Sequence, residues 1–385
     1  MSRETAMPEP GTLEAPPVET GGDRARAVAG IGRVAESVVR SVVPVLLALV
    51  AGGLVLLALG ANPITFCRNI WSGGVELSAW QDTVMRMAPL LLIACGLIYV
   101  FKAGIWNLGI DGQFLLASAV IAGIGPELFG TIPDWLLFLL LFLVAAVVGA
   151  VWTIVPALLR AYYGVNEIIT TLMMTFIGIN LANILIKEQF QDIASNVPQT
   201  RAIPFTNLLP TLPGTRIHAG VVVAGVGALV TWYLMSRTSF GLRLAVLGAN
   251  ARAAAHVGIS VPRLIVLSFA VSGAFVGLAA ASEILGIWGY VRADWNPAFG
   301  LLVVPLVFLA RFNAIAVIPF VAFLALLTIG GDFATQEADV SNEFTLLLVG
   351  LILLFMGVTE LLGRRRSLGP SYMHGVVRRR TRSPG

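Results

Sequence analysis

Residues 237–263 read RTSFGLRLAVLGANARAAAHVGISVPR, with four arginines, no acidic residue, and a long apolar run on either side. A basic loop of this length between membrane spans stays on the cytoplasmic side of a bilayer. The stretch therefore marks the chain as membrane-embedded and sets its expected orientation. It also contains a helix-prone core, with Leu244, Val246, Leu247, Ala253, Ala254 and Val257 as apolar positions between Gly241 and Gly258. Topology alone explains the arginines. It does not explain the apolar core, which reads as a short amphipathic helix lying along the membrane and offered to a soluble partner.

Composition agrees with a membrane chain. Of 385 residues, 57% are hydrophobic and 12% charged, and the mean hydropathy is +0.87. So much apolar surface does not fit inside one water-soluble core, and the expected class is an all-α, polytopic integral membrane protein. The formal charge of +4 sits in loops and tail, so it reads as topology and not as a nucleic-acid surface. Cys67 and Cys95 lack metal-ligand spacing, and His218, His256 and His374 are scattered, which offers neither a metal site nor a catalytic pair.

Candidate spans lie at 42–61, 85–101, 108–125, 135–157, 165–186, 219–236, 264–286, 299–310, 314–331 and 345–362, about ten helices. The run at 299–310 is short and reads as re-entrant or broken. With N- and C-termini both cytoplasmic, the inner segments collect most of the 25 basic residues. Outside then lie a Pro-rich loop, Lys187–His218, and an acidic one, Asp332–Glu343. Three regions follow: a cytoplasmic N-terminal tail, 1–41, with an interfacial helix expected over 24–41; a transmembrane domain, 42–362, interrupted by the 237–263 loop; and a basic cytoplasmic tail, 363–385.

Polar residues inside this apolar chain are the candidate functional groups. AGIWNLGIDGQ, residues 103–113, sets Asn107, Asp111 and Gln113 among glycines; it is either a tight turn or the inner end of a translocation path. In YGVNEIITTLMMT, residues 163–175, Asn166 and Glu167 open a span that continues through Thr170, Thr171 and Thr175. A carboxylate at a helix start suits the macrodipole, whereas one inside a span costs about 2.5–3.5 kcal/mol and needs water or a partner. Glu283 lies deeper in a span where Gly273 and Gly277, and Ser268 and Ser272, are spaced for close helix packing. It is paired with another helix or it faces a pore. Trp288, Tyr290 and Trp295 are interfacial aromatics or a stacking surface for a ring-shaped solute.

Three segments together, AGIWNLGIDGQFLLA, GVNEIITTLMMTF and GLRLAVLGANARAAAHVGISVPRLIVLSFAVSGAFVGLAA, resemble the permease subunits of bacterial ABC importers for nucleosides and simple sugars, over about residues 85–362 and closest to the nucleoside-type branch. Thr175 departs from that pattern, which has asparagine there. The resemblance implies that Leu244–Gly258 is the coupling helix, with Arg243, Leu244, Leu247, Asn250, Ala253, Ala254, His256 and Gly258 meeting the ATPase. It places Asn107, Gln113, Asn166, Glu167, Thr171 and Glu283 along the translocation path. It further implies a second, non-identical permease, a cytoplasmic ABC ATPase, an extracytoplasmic solute-binding protein and membrane lipid as partners, and no nucleic acid. The chain itself carries no cofactor, and ATP and Mg belong to the ATPase; no GxxxxGK[ST] phosphate loop is present. The rivals are a sugar-specific permease, an ion-coupled transporter and a membrane enzyme. The last lacks any visible catalytic cluster.

Overall fold

The computed structural model describes residues 43, 46–76, 78–341 and 343–367. The interfacial helix expected over 24–41 and most of the basic tail lie outside these residues. Residues 49–353 form one compact unit, and 46–48 and 354–367 fall with the chain ends in a second. Among the described residues the regular structure is helical, with only isolated bridges between loops.

Helix α1 (Leu46–Ala58) falls within the span expected over 42–61, and a second helix that the sequence reading did not assign, α2 (Pro63–Val75), follows it at a bend of 116°. Asn62 makes the break: its side chain accepts from the amides of Ile64 (2.9 Å) and Thr65 (3.4 Å), and Pro63 follows at the first helical position. A capping side chain before a helix-starting proline opens a new helix more readily than it continues an old one.

Next come α3 (Ala79–Lys102), α4 (Ile110–Leu128), α5 (Asp134–Trp152), α6 (Ile154–Tyr163), α7 (Glu167–Ile184), α8 (Gly220–Arg237), α9 (Ser239–Ala249), α10 (Ala251–His256), α11 (Val261–Glu283), α12 (Phe299–Leu309), α13 (Val317–Glu337) and α14 (Glu343–Ser367). Single turns of π-helix extend α7 over Leu185–Gln189 and α11 over Ile284–Trp288. Six of these have the length and apolarity to cross a bilayer: α3, α5 with α6, α7 with its π turn, α8, α11 with its π turn, and α13; the bent α1–α2 pair brings the number to seven if it is one span. The helix expected over 108–125 is present as α4, but Asp111, Gln113 and Glu127 make it too polar to stand as a span by composition. Helix α12 has 11 residues, in keeping with the short run expected there. Asp332 was expected in a loop, yet α13 carries on through it to Glu337.

The windows of α3 and α11 are 78% and 67% buried, against 22–28% for α5, α7 and α8, so α3 and α11 are the centre of the bundle. Helix α11 packs against α5, α3, α4 and α6. Its contact with α5 has almost no side chain in it: a Cβ on Gly273 would strike the carbonyl oxygen of Gly149, and one on Gly277 that of Ala145. Small residues four apart let two backbones approach this closely in a membrane. Thr153, at the joint between α5 and α6, donates its hydroxyl to the Phe269 carbonyl (3.0 Å) and to that of Ala150 (2.7 Å).

Gly277→Leu forces α5 off α11, and overpacking of this kind costs about 1–3 kcal/mol or more. The expected outcome is a lower melting temperature in detergent than for Gly225→Leu, where the space beside the glycine is open. Equal melting temperatures would contradict the backbone contact.

Candidate functional site

The turn between α3 and α4 folds into a buried polar knot. Asn107 is wholly buried; its Nδ2 donates to Gln113 Oε1 (3.3 Å) and Ser272 Oγ (3.1 Å), and its Oδ1 accepts from the Gly109 amide (3.0 Å) and from Gln113 Nε2 (3.0 Å). Thr171 of α7 accepts from the Leu108 amide (3.2 Å) and donates to the Glu167 carbonyl (2.7 Å), and Thr175 donates to the Leu108 carbonyl (3.1 Å). The structure thus brings Asn107, Gln113 and Thr171 together, each satisfied by its neighbours. The knot ties α4 to α7 and, through Ser272, to α11. Irregular backbone within a membrane bundle needs this kind of satisfaction.

Asn166 and Glu167 stand apart from the knot's centre. The Asn166 side chain caps α7 by accepting from the Ile168 amide (2.9 Å). Glu167 is buried and pairs with Arg160 of α6 at 3.2 Å across the left-handed Gly164.

Glu283 lies in a different cluster, with Trp288 and Trp295, which the sequence singles out, and with Arg86, Phe299 and Phe114, which it does not. Its Oε1 accepts from Arg86 Nη1 (2.8 Å) and from Trp288 Nε1 (3.0 Å), while Arg86 sits 5.7 Å from the centre of the Phe299 ring. The π turn over Ile284–Trp288 widens the end of α11 and brings Trp288 onto the same side as Glu283, five residues back. Trp295 meets Trp288 edge-on at 5.9 Å, and Phe114 contacts both Trp295 (6.3 Å) and Phe299 (5.4 Å). The available signal for Arg86 was a lone cation near the start of an apolar run.

The 237–263 region is two helices, not one over Leu244–Gly258. Asn250 adopts extended backbone (φ −162°, ψ 106°), and its side chain caps α10 through the amides of Arg252 (3.0 Å) and Ala253 (3.1 Å). Leu244, Leu247 and Ala254 are buried against the bundle; Arg243, Asn250, Ala253, His256 and Gly258 are exposed. The apolar stripe therefore anchors the module, and the surface it offers is led by Leu242 (66% exposed), Arg252 and Val257 (71% exposed). Gly248 sits directly on the backbone of Lys102–Gly104, where Gly104 takes a positive φ of 73°. Lys102 Nζ meanwhile donates to the Met235 carbonyl at the end of α8 (3.2 Å).

At the far end of the bundle the 190–219 loop is stitched to the segment after α11: Leu209 N–H to the Leu285 carbonyl (2.9 Å), Ile203 to Gly289 (2.9 Å) and Thr200 to Val291 (3.0 Å). His218 is buried there, its Nδ1 accepting from the Gly220 amide (3.2 Å) and its Nε2 without a partner.

A bundle of long apolar helices with a charged cluster inside and an amphipathic module at one end defines a multi-pass membrane protein. Residues 81–357 match the family described as branched-chain amino acid transport system / permease component, and the chain belongs to that family. It is 32% identical to the glucose ABC transporter permease protein TsgB13 of Haloferax volcanii, over 84% of this chain and 88% of that one. It is 27% identical to the guanosine ABC transporter permease protein NupP of Bacillus subtilis, over 82% and 91%, and 28% identical to the nucleoside ABC transporter permease protein NupB of Lactococcus lactis, over 59% and 65%. Both of these organisms supply a second similar permease, NupQ and NupC respectively. Members are the membrane components of their transporters, which places this chain in the inner membrane and ATP hydrolysis in a separate subunit.

Burial holds His218 neutral, pushing its pKa down from 6.5 to about 4. A released loop would take up a proton first, so the anchoring is complete above pH 6.5 and weakens as pH falls towards 4. Amides of the 209–221 segment should lose protection from hydrogen exchange by up to about tenfold per pH unit over that window, after correction for intrinsic rates. His218→Gln should flatten the dependence; a wild-type profile flat from pH 7.5 to 5 would contradict it.

Proposed function

We propose that this permease carries nucleosides inward, driven by ATP hydrolysed on a cytoplasmic ABC ATPase and supplied by an extracytoplasmic solute-binding protein. The observation that carries the solute class is the run of relatives named for guanosine or nucleosides, two of them from each of two organisms. Those pairs also favour a second, non-identical permease beside this one. The glucose permease relative favours a second reading, transport of a simple sugar.

In this reading both termini are cytoplasmic, and α4 and α14 add to the six long helices to make about ten passes with the broken ones. The α9–α10 module faces the cytoplasm and docks on the ATPase through Arg243, Asn250, Ala253, His256 and Gly258, while Leu244, Leu247 and Ala254 carry its displacement into the bundle. The path runs beside α3, α11 and α13. Glu283 borders it directly; Asn107, Gln113, Asn166, Glu167 and Thr171 shape its wall by holding the α3–α4 turn against α7. ATP-driven closure of the ATPases shifts the balance between outward-open and inward-open states through the different contacts the module makes in each.

Uptake by the reconstituted complex checks the solute: labelled nucleosides should accumulate and be displaced by other nucleosides. Accumulation of glucose or ribose with no nucleoside uptake would establish the sugar reading instead. Val257→Asp puts a charge on the exposed docking face and should cut transport at least about tenfold while leaving assembly and basal ATP hydrolysis intact. Unchanged transport would remove the docking assignment.

A further inference from the structure

Glu283 is completely buried, and its ion pair with Arg86 is made through one oxygen and one nitrogen. Glu283 Oε2 and Arg86 Nε are both buried with no hydrogen-bond partner. Arginine and carboxylate left to themselves close as a two-bond fork. Here the second carboxylate oxygen and the guanidinium Nε–H are spare, one acceptor and one donor on the same pair. Buried charged groups are costly to leave unmet, and either an ordered water or a solute can fill the two valences.

The surroundings describe such a solute. Trp288 is 38% exposed, and the Arg86 side chain is 18% exposed, so the cluster opens to the outside of the chain along one side. Asp332 of α13 is exposed and within electrostatic reach of Arg86. An exposed carboxylate inside a span faces water or protein and not lipid. The exposed side of the cluster therefore faces water or protein; Trp288 borders it with Trp295 edge-on at 5.9 Å, while Phe299 lies buried behind Arg86.

We propose that Glu283 Oε2 and Arg86 Nε read the edge of a flat heterocycle that presents an N–H donor beside a carbonyl or ring-nitrogen acceptor, while Trp288 supplies the face on which the ring stacks. Every nucleobase has such an edge; a pentose or hexose has vicinal hydroxyls and no π-face to stack. The inference rests on the nucleoside reading and deepens it: the base, not the sugar, is what this chain recognises within the membrane.

The test is equilibrium binding of labelled inosine to the assembled permease–ATPase complex in nanodiscs, with the binding protein left out so that its selectivity does not intervene. Uridine should compete and ribose should not. 1-Methylinosine, which lacks the N1–H, should compete about tenfold more weakly. Glu283→Gln should weaken inosine by a similar factor and erase its advantage over 1-methylinosine. Trp288→Ala keeps the Arg86–Glu283 pair, guards against a folding failure in the first variant, and should weaken all nucleosides alike. Assembled variants that bind inosine and 1-methylinosine as the wild type does would overturn the base-edge site, as would a site holding water alone. Nucleoside uptake that survives both substitutions sinks only this inference, whereas uptake of sugars without nucleosides sinks the solute reading as well.

Discussion

The close approach of α11 to α5, backbone against backbone across Gly149, Gly273 and Gly277, is the contact on which the rest of the bundle depends. Between two lipid-embedded helices there is no hydrophobic drive to associate, so packing and polar contacts decide the arrangement. With α5 pressed on one face of α11, its other faces are free to receive α3 and α4. Ser272 then reaches Asn107 in the α3–α4 turn, and Glu283 reaches Arg86 on α3. One helix thus supplies the packing surface, a member of the polar knot and the acid of the charged cluster. Each is set by the rotation of α11 about its axis, and the glycines fix that rotation.

The same geometry connects the amphipathic module to the interior. Gly248 lies on the backbone of Lys102–Gly104, and that turn runs within a few residues into Asn107. A contact between two backbones has no side chain to absorb displacement by changing rotamer. In the proposed cycle, movement of α9 and α10 therefore passes to the end of α3 and to the α3–α4 turn. The knot then transmits it to α7 through Thr171 and to α11 through Ser272, because its hydrogen bonds are mutual and a shift of one member disturbs the others. Interior packing close to crystal density favours discrete rearrangement over gradual bending. An importer that alternates between two access states has that requirement.

How much of this was legible in the sequence follows from the range of each interaction. The spans at 85–101, 165–186, 219–236 and 264–286 announce themselves because apolarity is local. The four-residue spacing of Gly273 and Gly277 likewise pointed to close packing. The break at Asn62 and the hinge at Asn250 carry local signals, since an asparagine ahead of a helix start is a cap. At Asn250 that signal was outweighed by the apolar positions on either side; at Asn62 the expected span ended in the right place, at 61, but the helix that the cap opens was not assigned. The apolar positions of the 244–258 stretch were found, but the pattern does not say which way they point: Leu244, Leu247 and Ala254 turn inward. Non-local pairs were out of reach. Arg86 and Glu283 lie 197 residues apart, and nothing in either neighbourhood names the other. The π turn that returns Trp288 to Glu283 has no compositional marker at all.

Glu283 also shows why a buried ion pair need not be read as a stabilising device. Removing two charges from water costs several kcal/mol per ion, and a pair repays this only with good geometry and every remaining hydrogen-bond valence filled. The Arg86–Glu283 pair leaves a valence open on each partner, so as a strut it is poorly made. A well-packed apolar pair would hold α3 against α11 at least as firmly. The arrangement has an advantage only if the open valences are filled part of the time. A solute that completes them in one access state and is released in the other draws on the desolvation already spent in folding. Such a site binds its solute through the difference between filled and unfilled valences, which is small. Weak and transient recognition suits a permease that has to let its cargo go.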